Sequence, residues 1–348
     1  MINENKRFAV SSSVKFFRNV SEVPFAKNIT PDDAEDLNHN TKLCASSLWG
    51  EDRYTVENYS GFDTLDELYL MDFANNRFTS PSGVESITLC SPDGTSTVTT
   101  NKGEHIIVSS TAEGNDVNYA YKQAVKCINA LSSRIPFATS DERGFLTANP
   151  LCCGTGLKVS VLLHLPALSL TPEFMVLNEA LKTRGVGLKS YFVDKKRTFG
   201  CLYYVVNNLT LGVTEQETLE SVIEAVKTVT AKEEQKRNEL IGANKIFVQD
   251  SAWRALGALS CARRLAEREF LTELSSVRLG ITLGEFDIDI DTIDSLLLKG
   301  TKHYVKERIA VSDAPDGITE DVMRARIMRE EIAPILKGLL YIMKGAQS

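Results

Sequence analysis

The chain has 348 residues, 43% hydrophobic and 24% charged, enough for two domains with sizeable cores. Its formal net charge of −7 argues against the basic face of a dedicated nucleic-acid binder. Seven cysteines, odd in number and without a CxxC pair, argue against a disulfide framework or a zinc ribbon and for a reducing cytoplasm.

No metal site is expected. No apolar run reaches the roughly 18 residues of a membrane span. The longest, near 159–168, is broken by Ser160, His164 and Pro166. The N-terminus has no apolar signal core.

In chain order, residues 8–19 (FAVSSSVKFFRN) mix β-branched and aromatic residues and read as an extended segment. Thr30-Pro31-Asp32-Asp33 is a helix start: Thr caps, Pro fits the first turn, and acids suit the positive end. A short helix is expected over 63–73. Residues 83–110 alternate strand and turn, with SPDG and NKGE as the turns, and predict an antiparallel meander. Residues 116–135 carry Val117, Ala120, Tyr121, Ala124, Val125, Ile128 and Leu131 at helical spacing.

The stretch 144–168, GFLTANPLCCGTGLKVSVLLHLPAL, reads as strand, glycine-broken loop and strand. Thr171-Pro172-Glu173 starts a helix that should end at Gly185. Strands follow at 187–193 and 201–207. Thr214 and Glu217 form a capping box for a helix to about Glu239. Beyond Gly242 the pattern is helical. We therefore expect an α+β domain over 1–245, an antiparallel sheet flanked by helices, and a helical C-terminal domain over 246–348.

Several features bear on chemistry. Gly154–Lys158 (GTGLK) could cradle phosphate through free backbone N–H groups. It lacks P-loop spacing and enters a strand, so a tight turn is the competing reading. Cys152-Cys153 invites thiol chemistry, but no partner histidine is evident and buried inert cysteine is common. His105 and His164 sit in strands, where satisfied core histidines are the ordinary case. Asp287, Asp289 and Asp291 alternate like a calcium loop, but Thr292 stands where that loop needs Gly and Leu298 where it needs an acid. Lys15, Arg18, Lys158 and Lys189 each lie near a strand or turn and could converge on a polyphosphate.

The order of segments resembles that of the ATP:guanido phosphotransferase family, and within it the bacterial protein-arginine kinases of the McsB type. VSSSVKFFRNV is similar to the family's SSRxRxxRN, and SPDG followed by NKGEHIIV to its turn, strand and NEEDHxRI. SDERGFLTANPLCCGTGLKVSVLLHLPAL resembles DExxGYLTxCPTNxGTGxRASVxLHLPAL. NNLTLG and SSVRLGITLG resemble two later segments. The resemblance implies an antiparallel sheet flanked by helices, a dimerising helical domain, and in-line phosphoryl transfer from MgATP to a guanidinium. It also implies partners in Clp-type protein quality control, ClpC and an McsA-like zinc protein among them.

Position by position, the resemblance fails at the chemistry. The family's SSRxR arginines fall on Ser13 and Lys15. Its paired glutamates fall on Lys102 and Gly103, the following aspartate on Glu104, and the arginine on Ile107. Asn101 and His105 are kept. The family cysteine falls on Asn149, the GTGxR arginine on Lys158, and RGxxGE on 189–194, with Lys189 and Asp194 at its ends. A phosphoarginine-reading RDxxRA falls on 320–325: Asp321, Arg324 and Ala325 agree, and Glu320 replaces an arginine. A plain helix is the competing reading there.

Lysine keeps a charge but loses the bidentate fork. Lys102 sets a cation where a guanidinium should bind. The expectation is a pseudokinase: a cytoplasmic homodimer that binds proteins, requires no cofactor, and keeps at most a weak ATP/Mg site at Lys15, His105, Lys158, Lys189 and Asp194. Two alternatives stand beside it. One is a divergent active kinase using Glu104, Glu142 or Asp194 as its carboxylate. The other is a structural subunit of a complex.

Overall fold

The computed structural model describes residues 3–51, 53–57, 83–194, 197–311 and 318–345. The helix expected over 63–73 lies outside the described residues. An eight-stranded sheet forms the centre of the first domain. Its order is β2 (Thr55–Glu57), β3 (Thr88–Cys90), β4 (Ser96–Lys102), β5 (Glu104–Glu113), β1 (Ala9–Arg18), β8 (Leu157–His164), β12 (Leu202–Asn207) and β9 (Val186–Ser190). Every neighbouring pair is antiparallel. The expected meander is β3 to β5. Two-stranded pairs, β6 (Thr139–Ser140) with β7 (Gly144–Phe145) and β10 (Val193–Asp194) with β11 (Arg197–Thr198), lie outside this sheet.

The described helices are α1 (Glu4–Arg7), α2 (Pro31–Trp49), α3 (Val117–Ser132), α4 (Glu173–Lys182), α5 (Glu215–Cys261), α6 (Glu267–Thr282), α7 (Ile290–Lys299), α8 (Lys302–Val311) and α9 (Glu320–Gly345). Thr30 caps α2 by accepting from Asp33 N–H. Thr214 and Glu217 close the capping box of α5. These are sequence expectations met by local hydrogen bonding. The helix from Glu173 ends at Lys182, short of Gly185.

α5 differs from its expected course. It does not stop near Glu239 but runs to Cys261, with a break in helical geometry at Asn244 (φ −144°, ψ 42°). Gly242 is exposed, so it weakens the helix without ending it. Val248, Ala252, Leu256 and Leu259 then bury a new face. The kink lies where the change to a helical pattern was expected.

Burial on both faces of the sheet follows from the two-residue period of a strand. On β8, Leu157, Val159, Val161 and Leu163 enter a core built with Ala120, Ala124 and Leu131 of α3 and Leu219, Val222, Val226 and Val229 of α5. The alternate residues, Lys158, Ser160, Leu162 and His164, share the opposite face. Leu162 there joins Tyr204, Val206 and the helical domain's Ala252, Leu256, Phe270, Leu274 and Met328. One strand face therefore carries Lys158 at one end and the domain junction at the other.

The junction is held by buried ion pairs. Arg237 donates through Nε to Glu233 at 2.7 Å, through Nη1 to Thr282 and through Nη2 to the His164 carbonyl. Glu233 also accepts from the Ala167 and Leu168 N–H groups. Arg278 makes a two-pronged pair with Asp294 at 2.7 and 3.1 Å and donates to the Lys6 carbonyl. His164 Nε2 lies 2.7 Å from Ser275 Oγ. It is fully buried beside both arginines, and burial first, then those two cations, hold its pKa well below the usual histidine value.

Candidate functional site

The site lies on the sheet face where β5, β1 and β8 run side by side. The register sets Lys15 opposite Lys158 and Phe17 opposite Ile107. Both lysines are buried, at 5% and 4% exposure. Lys158 Nζ donates to the Asn207 carbonyl at 3.2 Å. Burial lowers its pKa to about 8, and the neighbouring Cys152 thiol opposes the shift. Lys189, half-buried on β9, pairs across β12 with Tyr204.

Cys152 is buried in the 3₁₀ turn that follows Asn149. Burial pushes its thiol up to about 12; Lys158 and Lys189 pull it down, and Glu104 and Cys153 push it further up. Cys152 packs with Phe17 and Ile107 in a small apolar cluster of its own. A thiol so far from its thiolate is no nucleophile at neutral pH. Cys153 turns the other way, toward Thr147 Oγ1 at 3.3 Å.

Glu104 is the carboxylate nearest these lysines in the sequence pattern, and it is engaged. Oε2 accepts from Asn19 Nδ2 at 2.5 Å and from the Ala148 N–H at 2.7 Å, and Oε1 from the Asn149 N–H at 2.9 Å. These donors favour the carboxylate, but burial is the larger influence and raises its pKa. Glu104 thus ties the 147–150 loop to the start of β5. Asn149 caps the following 3₁₀ turn by accepting from Leu151 N–H. Lys102 pairs with Glu104 across the hairpin turn at Gly103, whose φ is +77°. Glu142 is exposed. The Asp194 side chain lies outside the described residues.

His105 is committed to the fold. Nδ1 accepts from Val20 N–H at 2.9 Å and Nε2 faces the Pro24 carbonyl at 2.7 Å. Desolvation lowers its pKa, so the neutral ring with hydrogen on Nε2 fits both partners. Asn101 donates to Asn38 and to the Glu85 carbonyl, fastening the β4–β5 hairpin to α2. The two family residues kept in this motif are therefore scaffold residues.

Two N–H groups of the GTG turn are already engaged within the fold. Gly154 N–H donates to the Phe145 carbonyl and Thr155 N–H to the Thr210 carbonyl at 2.9 Å, while Phe17 N–H donates to the Gly156 carbonyl. Gly154 has φ +105°, and a Cβ there would stand 2.1 Å from the Thr210 oxygen. Only glycine fits so close an approach. Arg18, which sequence reasoning set among possible phosphate ligands, is 1% exposed. It donates to the Phe17 and Thr155 carbonyls and lies 3.6 Å from the Phe145 ring centre. It holds the turn from behind.

Three functional supports were missed in the sequence: the Asn19–Glu104 clamp, Arg18 behind the turn, and Asn207. The last accepts from Val159 N–H and donates to the Leu157 carbonyl. Arg18-Asn19, which match the end of SSRxRxxRN, were the available signal.

In the helical domain, Arg324 is buried. It donates to the Gly300 carbonyl at 2.7 Å and the Leu265 carbonyl at 2.9 Å, and lies 3.4 Å from Asp321. Asp321 also faces Arg264 at 3.6 Å, and Glu320 faces Lys306 at 3.8 Å. Arg324 is engaged in joining helices here. Among the described residues no group of three or more His, Cys, Asp or Glu comes together as a metal set. No described helix is long and apolar enough to cross a membrane.

The profile of the ATP:guanido phosphotransferase C-terminal catalytic domain matches residues 52–236, more than half of the chain. The chain belongs to the ATP:guanido phosphotransferase family. The profile of the protein-arginine kinase McsB C-terminal domain matches residues 245–338.

Curated relatives include the protein-arginine kinases of Caldanaerobacter subterraneus and Symbiobacterium thermophilum. The first is 26% identical over 85% of this chain and 89% of the relative. The second is 28% identical over 93% of each. Lombricine kinase shares the fold with a TM-score of 0.55 at 18% identity, covering 66% of this chain and 67% of that one. Within the family, this chain is thus a protein-arginine-kinase-like member with an antiparallel sheet and a helical C-terminal region.

Proposed function

We propose that this chain is a pseudokinase: it keeps the protein-arginine kinase frame, does not phosphorylate arginine, and acts as a protein-binding regulator. The observation that carries this reading is the buried Phe17–Ile107–Cys152 cluster. It closes over a position where the family pattern has an arginine. Phosphoryl transfer of this kind rests on positioning and on charge stabilisation around the moving group. An apolar cluster supplies neither.

The other positions point the same way. Lys102 and Gly103 stand where the pattern has the guanidinium-orienting carboxylates. Glu104, the adjacent acid, already accepts three hydrogen bonds. Asn149 stands for the cysteine and caps a turn. MgATP fits this donor set in part. Lys15, Lys158 and Lys189 can face phosphate as point charges, without the planar fork of arginine.

The family resemblance directs the regulatory role toward Clp-type quality control, with ClpC and an McsA-like protein as candidate partners, the chain acting as a homodimer. The test is incubation with MgATP and an arginine-rich protein, read by mass spectrometry for acid-labile phosphoarginine. We expect none. Phosphoarginine that forms with this chain and vanishes with Lys158→Ala overturns the reading.

One observation favours a second reading, a divergent kinase that still binds nucleotide. Lys15 and Lys158 lie side by side in register, both buried on one face of the sheet. A thermal-melt series with millimolar MgATP separates the two: the divergent kinase requires a rise in Tm that Lys158→Ala removes.

A further inference from the structure

A second charged region lies at the far end of the helical domain. A third of the chain's arginines fall in two short segments, 263–268 and 324–329. The first follows the C-terminal end of α5; the second is on α9. Contacts between them fix their juxtaposition. Arg329 Nη1 donates to the Ala262 carbonyl, Arg324 Nη1 to the Leu265 carbonyl, and Leu265 N–H to the Asp321 carbonyl. Arg263, Arg264 and Arg326 are exposed, and Arg329 is half-buried.

Part of this cluster is explained by the helices themselves. The carbonyl end of a helix favours a cation, and Arg329 serves that end of α5. Arg324 joins elements from within. Arg264 faces Asp321 at 3.6 Å and Arg326 faces Glu330 at 2.9 Å, both in exposed pairs of little worth. What remains is that Arg329 bonds the residue next to exposed Arg263 and lies one turn from exposed Arg326 on α9. After burial, Arg263 is the largest influence lowering the Arg329 pKa; Arg326 adds to it and Glu330 opposes it. Three arginines against the single nearby Glu330 leave this surface with an excess of positive charge, which attracts an anion.

We propose that Arg263, Arg326 and Arg329 form a docking patch for a carboxylate-rich segment of a partner protein. Guanidinium forks match carboxylates in a planar, two-pronged geometry. The patch is bordered by Asp321 and Glu330, and the chain carries a net charge of −7. Those features suit a short acidic peptide better than the long phosphate backbone of a nucleic acid. The proposal is independent of whether the sheet-domain site transfers phosphate.

The test uses the full chain and a fluorescein-labelled deca-glutamate, read by fluorescence anisotropy at low and at physiological salt. The unlabelled competitors are deca-glutamine and a ten-residue oligothymidylate. Deca-glutamate should bind, and more weakly at the higher salt. The Arg263→Glu/Arg326→Glu variant should bind at least about 10-fold more weakly, a loss of one decade in affinity. Arg254→Glu, elsewhere on α5, should bind as the unaltered chain does. If the double reversal fails to fold, Arg326→Ala should still weaken binding about threefold. Equal affinity for the reversal variant, or no binding of deca-glutamate at millimolar concentration, overturns the patch. An oligothymidylate that competes better than unlabelled deca-glutamate overturns the acidic-peptide assignment.

Discussion

The two ends of one strand face, Lys158 and His164 on β8, bury charge in different ways. At the His164 end each buried arginine meets a carboxylate: Arg237 with Glu233, Arg278 with Asp294. Glu233 and both arginines also take up backbone groups. At the Lys158 end, lysines stand at arginine positions of the family pattern, and Ile107 pairs with Phe17. The contrast teaches that the charge joining the sheet to the helical domain sits in matched, directional pairs. Lysine at the arginine positions of the family pattern carries charge without arginine's planar fork.

The largest expected effect lies at the junction. Arg237→Ala leaves Glu233 buried without its partner and should cost about 3–5 kcal/mol in urea unfolding. A loss below 1 kcal/mol would remove the claim that this end is held by charge. At the other end, Gly154→Ala should cost about 1–3 kcal/mol, because it forces a side chain into a positive-φ position against the Thr210 carbonyl. A variant as stable as the unaltered chain would return the GTG turn to the status of a free loop.

Acidification separates the two ends more finely. His164 is depressed in the fold, so the unfolded chain takes up its proton first. Stability should be intact above about pH 6.5 and fall as pH drops below it, by up to about 1.4 kcal/mol per pH unit. The fall continues until the folded histidine titrates. Glu233 and Asp294, whose pKa values are raised by burial, contribute with the opposite sign. The comparison with His164→Gln isolates the histidine: the variant should show a flatter profile between pH 6.5 and 5. An identical profile removes His164 from the account.

The smallest effect is one of rate. Exposed Cys261 should react with iodoacetamide first, while Cys152, buried with a pKa of about 12, should resist until urea unfolds the chain. Rapid labelling of Cys152 in the native chain would mean that the apolar cluster is open.

Much of the frame could be read from the sequence, because its signals are local. The Thr30 cap, the Thr214–Glu217 box and the alternation of β8 each involve residues a few positions apart. The end of α5 could not be read, since Gly242 resembles a stop until the buried face from Val248 onward is seen. The site was legible only by resemblance. That comparison marked Lys102, Gly103, Ile107 and Asn149 as departures, but it could not show Ile107 meeting Phe17 and Cys152. Nor could it show Glu104 reaching Ala148 and Asn149, since those contacts span 44 and 45 positions. His105 and Asn101 match the motif, yet their partners show them serving the hairpin.

The most direct test of the account is a phosphorus NMR time course of the full chain with MgATP and an arginine-rich protein. The account predicts the resonances of ATP and its slow hydrolysis products alone. A growing phosphorus–nitrogen resonance, lost in the Lys158→Ala variant, would contradict it.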